Sequence, residues 1–343
     1  VSNYQIFPIS LSRRRLPSPP FPFHDDEAGI LPLPVPGGEQ QFKIAVLSVR
    51  LNGFNLRLFD SASWSWTNVG KVIVASPQRP FPIKIPRNAA RLNQHITTTA
   101  ITLGGEDGTM GWVDLYRGIL FCDVLSGGDH PTLVGVPLPL PRRLVDRGAE
   151  VEGCPKAIRG IAVLDGCLRM VELEVHGEIL PTRDPETGHL DREIKNWELY
   201  MYTKSKITGA WEDWQLVHRV EASQINIDQA IHDSLLQPGL LRDKMQDGKE
   251  RKLHNLLTSQ PALSLDGEGV VYLLTKAKFM QRQAWVLAGD VKGNKILGLA
   301  EFGTDTYLGL SLAYCPSRIS SYMDAWTVQT ISYILVLYKF LVL

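Results

Sequence analysis

Four tight turns constrain this chain more than any other feature: Asn52-Gly53, Asp107-Gly108, Asp165-Gly166 and Asp266-Gly267. A two-residue hairpin turn needs positive φ at its central positions, which Asn, Asp and Gly reach at low cost, so each pair marks a reversal between two strands. The flanking sequence alternates as strands do. Phe54, Leu56 and Leu58 fall on one face and Asn55 and Arg57 on the other; Val171, Leu173 and Val175 alternate with Glu172, Glu174 and His176.

Grouped by these turns, the strands form four units, at approximately 42–75, 96–138, 157–220 and 261–302. In the first, strands are expected at 42–47, 54–59, 64–68 and 71–75. Four-stranded units repeating at roughly 50 residues match propeller blades better than a sandwich, whose strands recur without such grouping. The physical reason is burial: a small sheet with two apolar faces hides them only by lying against neighbours. The expected fold class is therefore all-β, a β-propeller-like array of four-stranded blades with a helical insert from Glu221 to Ser259. The ring is incomplete if the sequence begins downstream of its native start, since it opens on Val1. Further strands are expected before Phe42 and from Tyr307 to Tyr314.

Three regions follow. Residues 1–41 read as a basic, Pro-rich arm or linker, with Arg13-Arg14-Arg15 followed by seven prolines from Pro17 to Pro36, a composition that favours extended backbone. Residues 42–322 form the propeller-like domain, and 323–343 an apolar C-terminal tail. The run Ile331 to Leu343 is shorter than the ~20 residues needed to span a bilayer, so a closing element packed on the body is expected rather than a membrane anchor.

Lys plus Arg and Asp plus Glu both number 36, which leaves no net field to draw the whole molecule to nucleic acid or to an anionic membrane. Cys122, Cys154, Cys167 and Cys315 are scattered and form no C-x-x-C pair. With no N-glycosylation acceptor and no secretory signal, the expected location is cytoplasmic or nuclear.

The run Gly111-Trp112-Val113-Asp114-Leu115-Tyr116-Arg117-Gly118-Ile119-Leu120-Phe121-Cys122-Asp123-Val124-Leu125, closed by Val136-Pro137-Leu138-Pro139, resembles the signature of a cereal-expanded plant family, Domain of Unknown Function 1618. Leu56 to Ser61 with Trp64 upstream, and Trp197-Glu198-Leu199, Trp211, Trp214 and Pro316 to Tyr322 downstream, are similar to its other landmarks. The resemblance covers about Phe42 to Tyr322. It implies a domain like the propeller-like domains that accompany F-box segments in plants, and it brings no established catalytic chemistry.

Within the signature, Trp112, Asp114, Arg117, Gly118, Cys122 and Asp123 are the family positions of interest, as structural pairs or partner contacts. A hairpin turning at Arg117-Gly118 lets the guanidinium meet either carboxylate across strands. Trp211, Glu212 and Asp213 form a candidate partner surface, whereas Trp64, Trp112, Trp197, Trp214 and Trp285 sit where rings fill the wedge between sheets. Gly104-Gly105-Glu106-Asp107-Gly108 lacks the Lys-Ser/Thr of a phosphate loop and reads as a turn. Asp184, Glu186, Gly188 and Asp191 lack the spacing of a calcium loop, and the eight histidines show no paired metal spacing. No catalytic residue, metal or cofactor is assigned. The expected function is a non-catalytic intracellular binding scaffold presenting loops, chiefly 180–196 and the insert, to a protein partner. The alternative is a propeller enzyme, a glycan or small-metabolite hydrolase, using carboxylates gathered at a central channel.

Overall fold

A computed structural model of the chain describes residues 17–33 (except 18), 41–50, 53–74, 95–126, 131–143, 153–185, 188–205, 214–242, 251–265, 269–278 and 283–302. The fold is all-β and propeller-like, and its strands fall into two compact units, β1–β8 and β9–β16.

In the first unit, β1 (Ala28–Leu33), β2 (Gln41–Arg50), β3 (Gly53–Asp60) and β4 (Ser65–Val74) make an antiparallel meander, and β5 (Thr99–Gly104), β6 (Thr109–Asp114), β7 (Gly118–Asp123) and β8 (Thr132–Pro137) make a second. A short parallel pairing, Ile73 with Thr132 and Val74 with Leu133, joins them into one eight-stranded sheet of order β1-β2-β3-β4-β8-β7-β6-β5. Its two ends approach each other, since Thr102 Oγ1 on β5 donates to the Ile30 carbonyl on β1 at 2.8 Å. The core between the meanders holds Leu31, Leu47, Leu56, Val72, Met110, Trp112, Leu120 and Leu133.

The first meander differs from the expected one. Instead of two strands at 64–68 and 71–75 there is one, β4, because pairing with β3 resumes past a bulge beside Leu56, opposite the positive-φ Gly70. The fourth strand, β1, answers to the one expected before Phe42 and comes from the Pro-rich stretch, which is therefore not a free linker there. β1 is the outer edge of the sheet, where Pro32 needs no ladder donor on its open side. Ahead of it, Phe21 and Phe23 lie against Trp66 with ring centroids 5.4 and 6.2 Å away, the Arg57 guanidinium sits 3.9 Å from the Phe21 ring centroid, and Trp66 Nε1 donates to the Pro17 carbonyl. These rings cover Ile44, Val46 and Phe59 on the second face of the meander.

In the second unit, β9 (Arg159–Leu164), β10 (Cys167–Arg183), β11 (Leu190–Lys204) and β12 (Gln215–Glu221) form the third meander. β13 (Leu257–Leu263), β14 (Val270–Lys276), β15 (Ala284–Asp290) and β16 (Lys295–Phe302) form the fourth. Between β9 and β10 the expected turn is realised, with positive φ at both Asp165 and Gly166. Asn52 and the Asp266-Gly267 pair lie outside the described residues. Val171, Leu173, Trp197 and Leu199 from the third sheet pack with Leu263, Val271, Leu273, Leu287 and Leu299 from the fourth in one core. The opposite face of the fourth sheet is buried too, through Leu274, Val286, Ala288 and Ala300, which explains why β14 and β15 read as continuous apolar runs.

The insert is partly helical, with α1 (Gln229–Leu236) capped by Asp228, whose carboxylate accepts from the Ile231 amide at 2.8 Å. Leu235, Leu240, Leu241, Leu253 and Leu256 are buried in the shared core, and the end of the expected insert is already β13. The C-terminal tail, the strand expected at 307–314, the arginines at 13–15 and Cys315 lie outside the described residues. Among the described residues no helix is long and apolar enough to cross a membrane.

Candidate functional site

The signature residues come first to interior positions. Trp112 on β6 is fully buried and its indole N–H donates to the Glu27 carbonyl at 2.8 Å. Asp114, the last residue of β6, accepts from the Ile96 amide at 2.9 Å and the Tyr116 amide at 3.0 Å, and its carboxylate lies 3.5 Å from Arg117 Nε. Burial raises its carboxyl above the usual range, against the pull of those amides and of Arg117. The reversal between β6 and β7 runs through Leu115, Tyr116 and Arg117, one residue earlier than expected, with the Arg117 amide donating to the Asp114 carbonyl. Arg117 therefore meets Asp114 within the turn. Asp123 stands at the far end of β7, exposed, and accepts from Thr109 Oγ1, so the Arg117–Asp123 pairing does not form. Gly118 opens β7 and is buried between Asp114 and Pro137 in the ladder. Cys122 is buried, and burial with the neighbouring Asp123 charge pushes its thiol up to about 12. Trp211, Glu212 and Asp213 lie outside the described residues.

A different set of groups converges in the third meander. The residues of β10 and β11 that alternate away from the apolar core are Glu172, Glu174, His176, Glu198, Tyr200 and Tyr202, and cross-strand pairing sets Glu172 opposite Tyr200 and Glu174 opposite Glu198. Sequence alternation alone reads such a face as solvated, yet Glu172, Glu174, Tyr200 and Tyr202 are buried.

Burial obliges each charge to find partners. Arg159 Nη2 on β9 donates to Glu172 Oε2 at 2.8 Å, and the Arg142 amide donates to Glu172 Oε1 at 2.7 Å. Glu198 receives the Tyr200 hydroxyl at 2.7 Å, the Arg219 guanidinium at 2.7 and 2.8 Å, and His176 Nε2 at 3.2 Å. The other ring nitrogen of His176 lies 3.7 Å from Glu174. Arg142 and Arg219 stand over the Tyr200 ring at 5.1 and 5.6 Å from its centroid. Burial works to raise the Glu198 carboxyl, but the bonds from Tyr200 and Arg219 outweigh it and hold it below its ordinary value. Burial and the Glu198 bond in turn push the Tyr200 hydroxyl up to about 12. The result is a network in which carboxylates are neutralised by fixed cations and hydroxyls. The sequence carried a signal for it, since two adjacent strands bear acids and tyrosines in matching phase while Arg159 and Arg219 stand on the flanking strands.

Beyond this network, β10 and β11 outrun their neighbours. β9 pairs no further along β10 than Glu172, and β12 no further along β11 than Glu198, while β10 and β11 continue as a two-stranded ribbon to Arg183 and Leu190. The expected loop 180–196 is thus mostly strand. Its tip is held by Asp184, which pairs with Lys278 at 3.1 Å, and its base by Asn255, which donates to the Ile194 carbonyl at 2.9 Å. At this tip the Gly188 amide donates to the Asp184 carbonyl, Asp191 follows on β11, and Glu186 lies outside the described residues. Ile179 is 57% exposed and Leu190 40%, and the register places both on one face with Arg183 and Arg192. Among the described residues no three His, Cys, Asp or Glu side chains are placed to hold a metal ion.

A model of the family described as Protein of unknown function (DUF1618) matches residues 112–272, from Trp112 on β6 to Tyr272 on β14. No curated protein matches the chain. Among solved structures, the crystal structure of Porphyromonas gingivalis dipeptidyl peptidase 4 is similar at 8% identity with a TM-score of 0.24, over 79% of this chain and 32% of that one. This chain thus spans about a third of the length of that structure.

Proposed function

We propose that the chain is a plant member of the DUF1618 family and a non-catalytic intracellular scaffold that binds a protein partner through the β10–β11 ribbon. The observation that carries the reading is the ribbon itself: two strands continue beyond their sheet, pinned at base and tip, and expose Ile179 and Leu190 on one face. A ribbon held in place before binding loses little conformational freedom on docking, and exposed aliphatics on it supply contact area. Free thiols at Cys122, Cys154 and Cys167 accord with a reducing compartment.

The rival reading, a hydrolase with two opposed carboxylates, has its best candidates in Glu174 and Glu198, which face each other across strands. Glu198 is engaged by Tyr200, Arg219 and His176, and a carboxylate held below its ordinary range is a poor general acid at neutral pH. The test compares wild type with Ile179→Asp/Leu190→Asp in quantitative affinity capture from the source tissue, with circular dichroism and melting as fold controls. Loss of specific proteins from the variant with an unchanged melt is the expected result. Identical recovery from both proteins, or turnover of a glycoside panel that vanishes in Glu198→Gln, would overturn the proposal.

A further inference from the structure

We propose that His95 is an acid-sensitive latch: taking up a proton on its imidazole frees residues 95–98 from the β6–β7 turn and opens the entry to β5. The latch lies within the first unit and is independent of the partner-binding reading. His95 is 5% exposed, and neither ring nitrogen meets a partner in good hydrogen-bond geometry among the described residues. β3 sets the Phe54 ring at a steep 74° to it, with centroids 6.2 Å apart, and β6 presents the Trp112 backbone. Among the described residues the charged groups on this side are Arg117, whose positive charge opposes another, and Asp114, whose carboxylate is already committed to the Ile96 and Tyr116 amides and to Arg117.

The segment that His95 anchors is tied to the same turn. Asp114 accepts from the Ile96 amide, the Thr98 amide and hydroxyl both donate to the Val113 carbonyl, and the Leu115 amide donates back to the Thr98 hydroxyl. A charged imidazole has no place beside Phe54 and Arg117, so protonation and release of the segment are one event. Burial first, then the Arg117 charge, hold the imidazole down to about 3 from its ordinary 6.5, against the Trp112 backbone. A His whose closed-state value is lowered leaves the closed form unaffected above about 6.5 and weakens it progressively as pH falls from there toward 3. Asp114 has the opposite sign, because its raised carboxyl favours the closed form as it protonates, so it would tighten the segment as pH falls where the His95 latch opens it.

The experiment is amide hydrogen exchange of peptides spanning residues 95–104 and 109–115, corrected for intrinsic exchange, from pH 7.5 to 5.5 in wild type and His95→Phe. One titrating group gives an opening constant that rises about tenfold over that interval in wild type and stays flat in the variant. Equal pH dependence in both proteins, or none in wild type, overturns the latch. An NMR titration of the wild-type imidazoles guards against a variant that fails to fold. The expected trace for His95 is flat down to pH 5, and an ordinary midpoint near 6.5 in the folded protein overturns the proposal as well.

Discussion

At the scale of single residues, the second unit depends on how closely two backbones approach. Gly160 on β9 lies so near β13 that a Cβ built on it would fall 2.1 Å from the Pro261 carbonyl oxygen, beside the bulge where Gln260 takes a positive φ. Backbone cannot swing aside as the end of a side chain does. Gly160→Ala should therefore destabilise the fold by about 1–3 kcal/mol, read as a lower urea midpoint at unchanged slope. An unaffected midpoint would mean that β9 and β13 are farther apart than described. Gly177 sits equally close to the Glu193 carbonyl, 2.3 Å for the same construction, and marks the bulge where the ribbon leaves the sheet.

At the scale of elements, the N-terminal stretch shows where composition misleads. Seven prolines read as a linker, yet Phe21 and Phe23 bring both rings onto Trp66, and Ala28–Leu33 completes the first meander. Proline forbids a central strand but not an edge, and β1 is an edge. A protein lacking residues 1–33 should expose Ile44, Val46 and Phe59, bind a hydrophobic dye and melt lower than the full chain. An identical melt with no dye binding would return the stretch to the status of a linker. The insert, expected as a helical contact surface, is partly helical but buries Leu235, Leu240, Leu241, Leu253 and Leu256 in the core.

At the scale of the whole molecule, the all-β character was legible because Asp-Gly turns and period-two alternation are local signals: Asp165 and Gly166 both take positive φ between two paired strands. The polar network was only partly legible: acids and tyrosines in matching phase on β10 and β11 signal it, but not their partners. Whether Glu172 and Glu198 face water or a paired cation depends on Arg159 and Arg219, which reach this face only after the strands pair. For the same reason sequence proximity pairs Asp123 with Arg117, although β7 carries it to the far end of the hairpin. The proposed function requires the acid-bearing face of the third meander to be structural interior and not a reaction site. Urea unfolding of Arg159→Met, Glu172→Gln and the double variant tests that requirement most directly. Breaking the buried pair at Arg159 leaves the Glu172 charge uncompensated and should cost about 3–5 kcal/mol. Most of that loss should return in the double variant, where the uncharged side chain that replaces Glu172 still offers an oxygen to the Arg142 amide. Catalytic charges are held against the fold's own stability, so single variants more stable than wild type would contradict the claim.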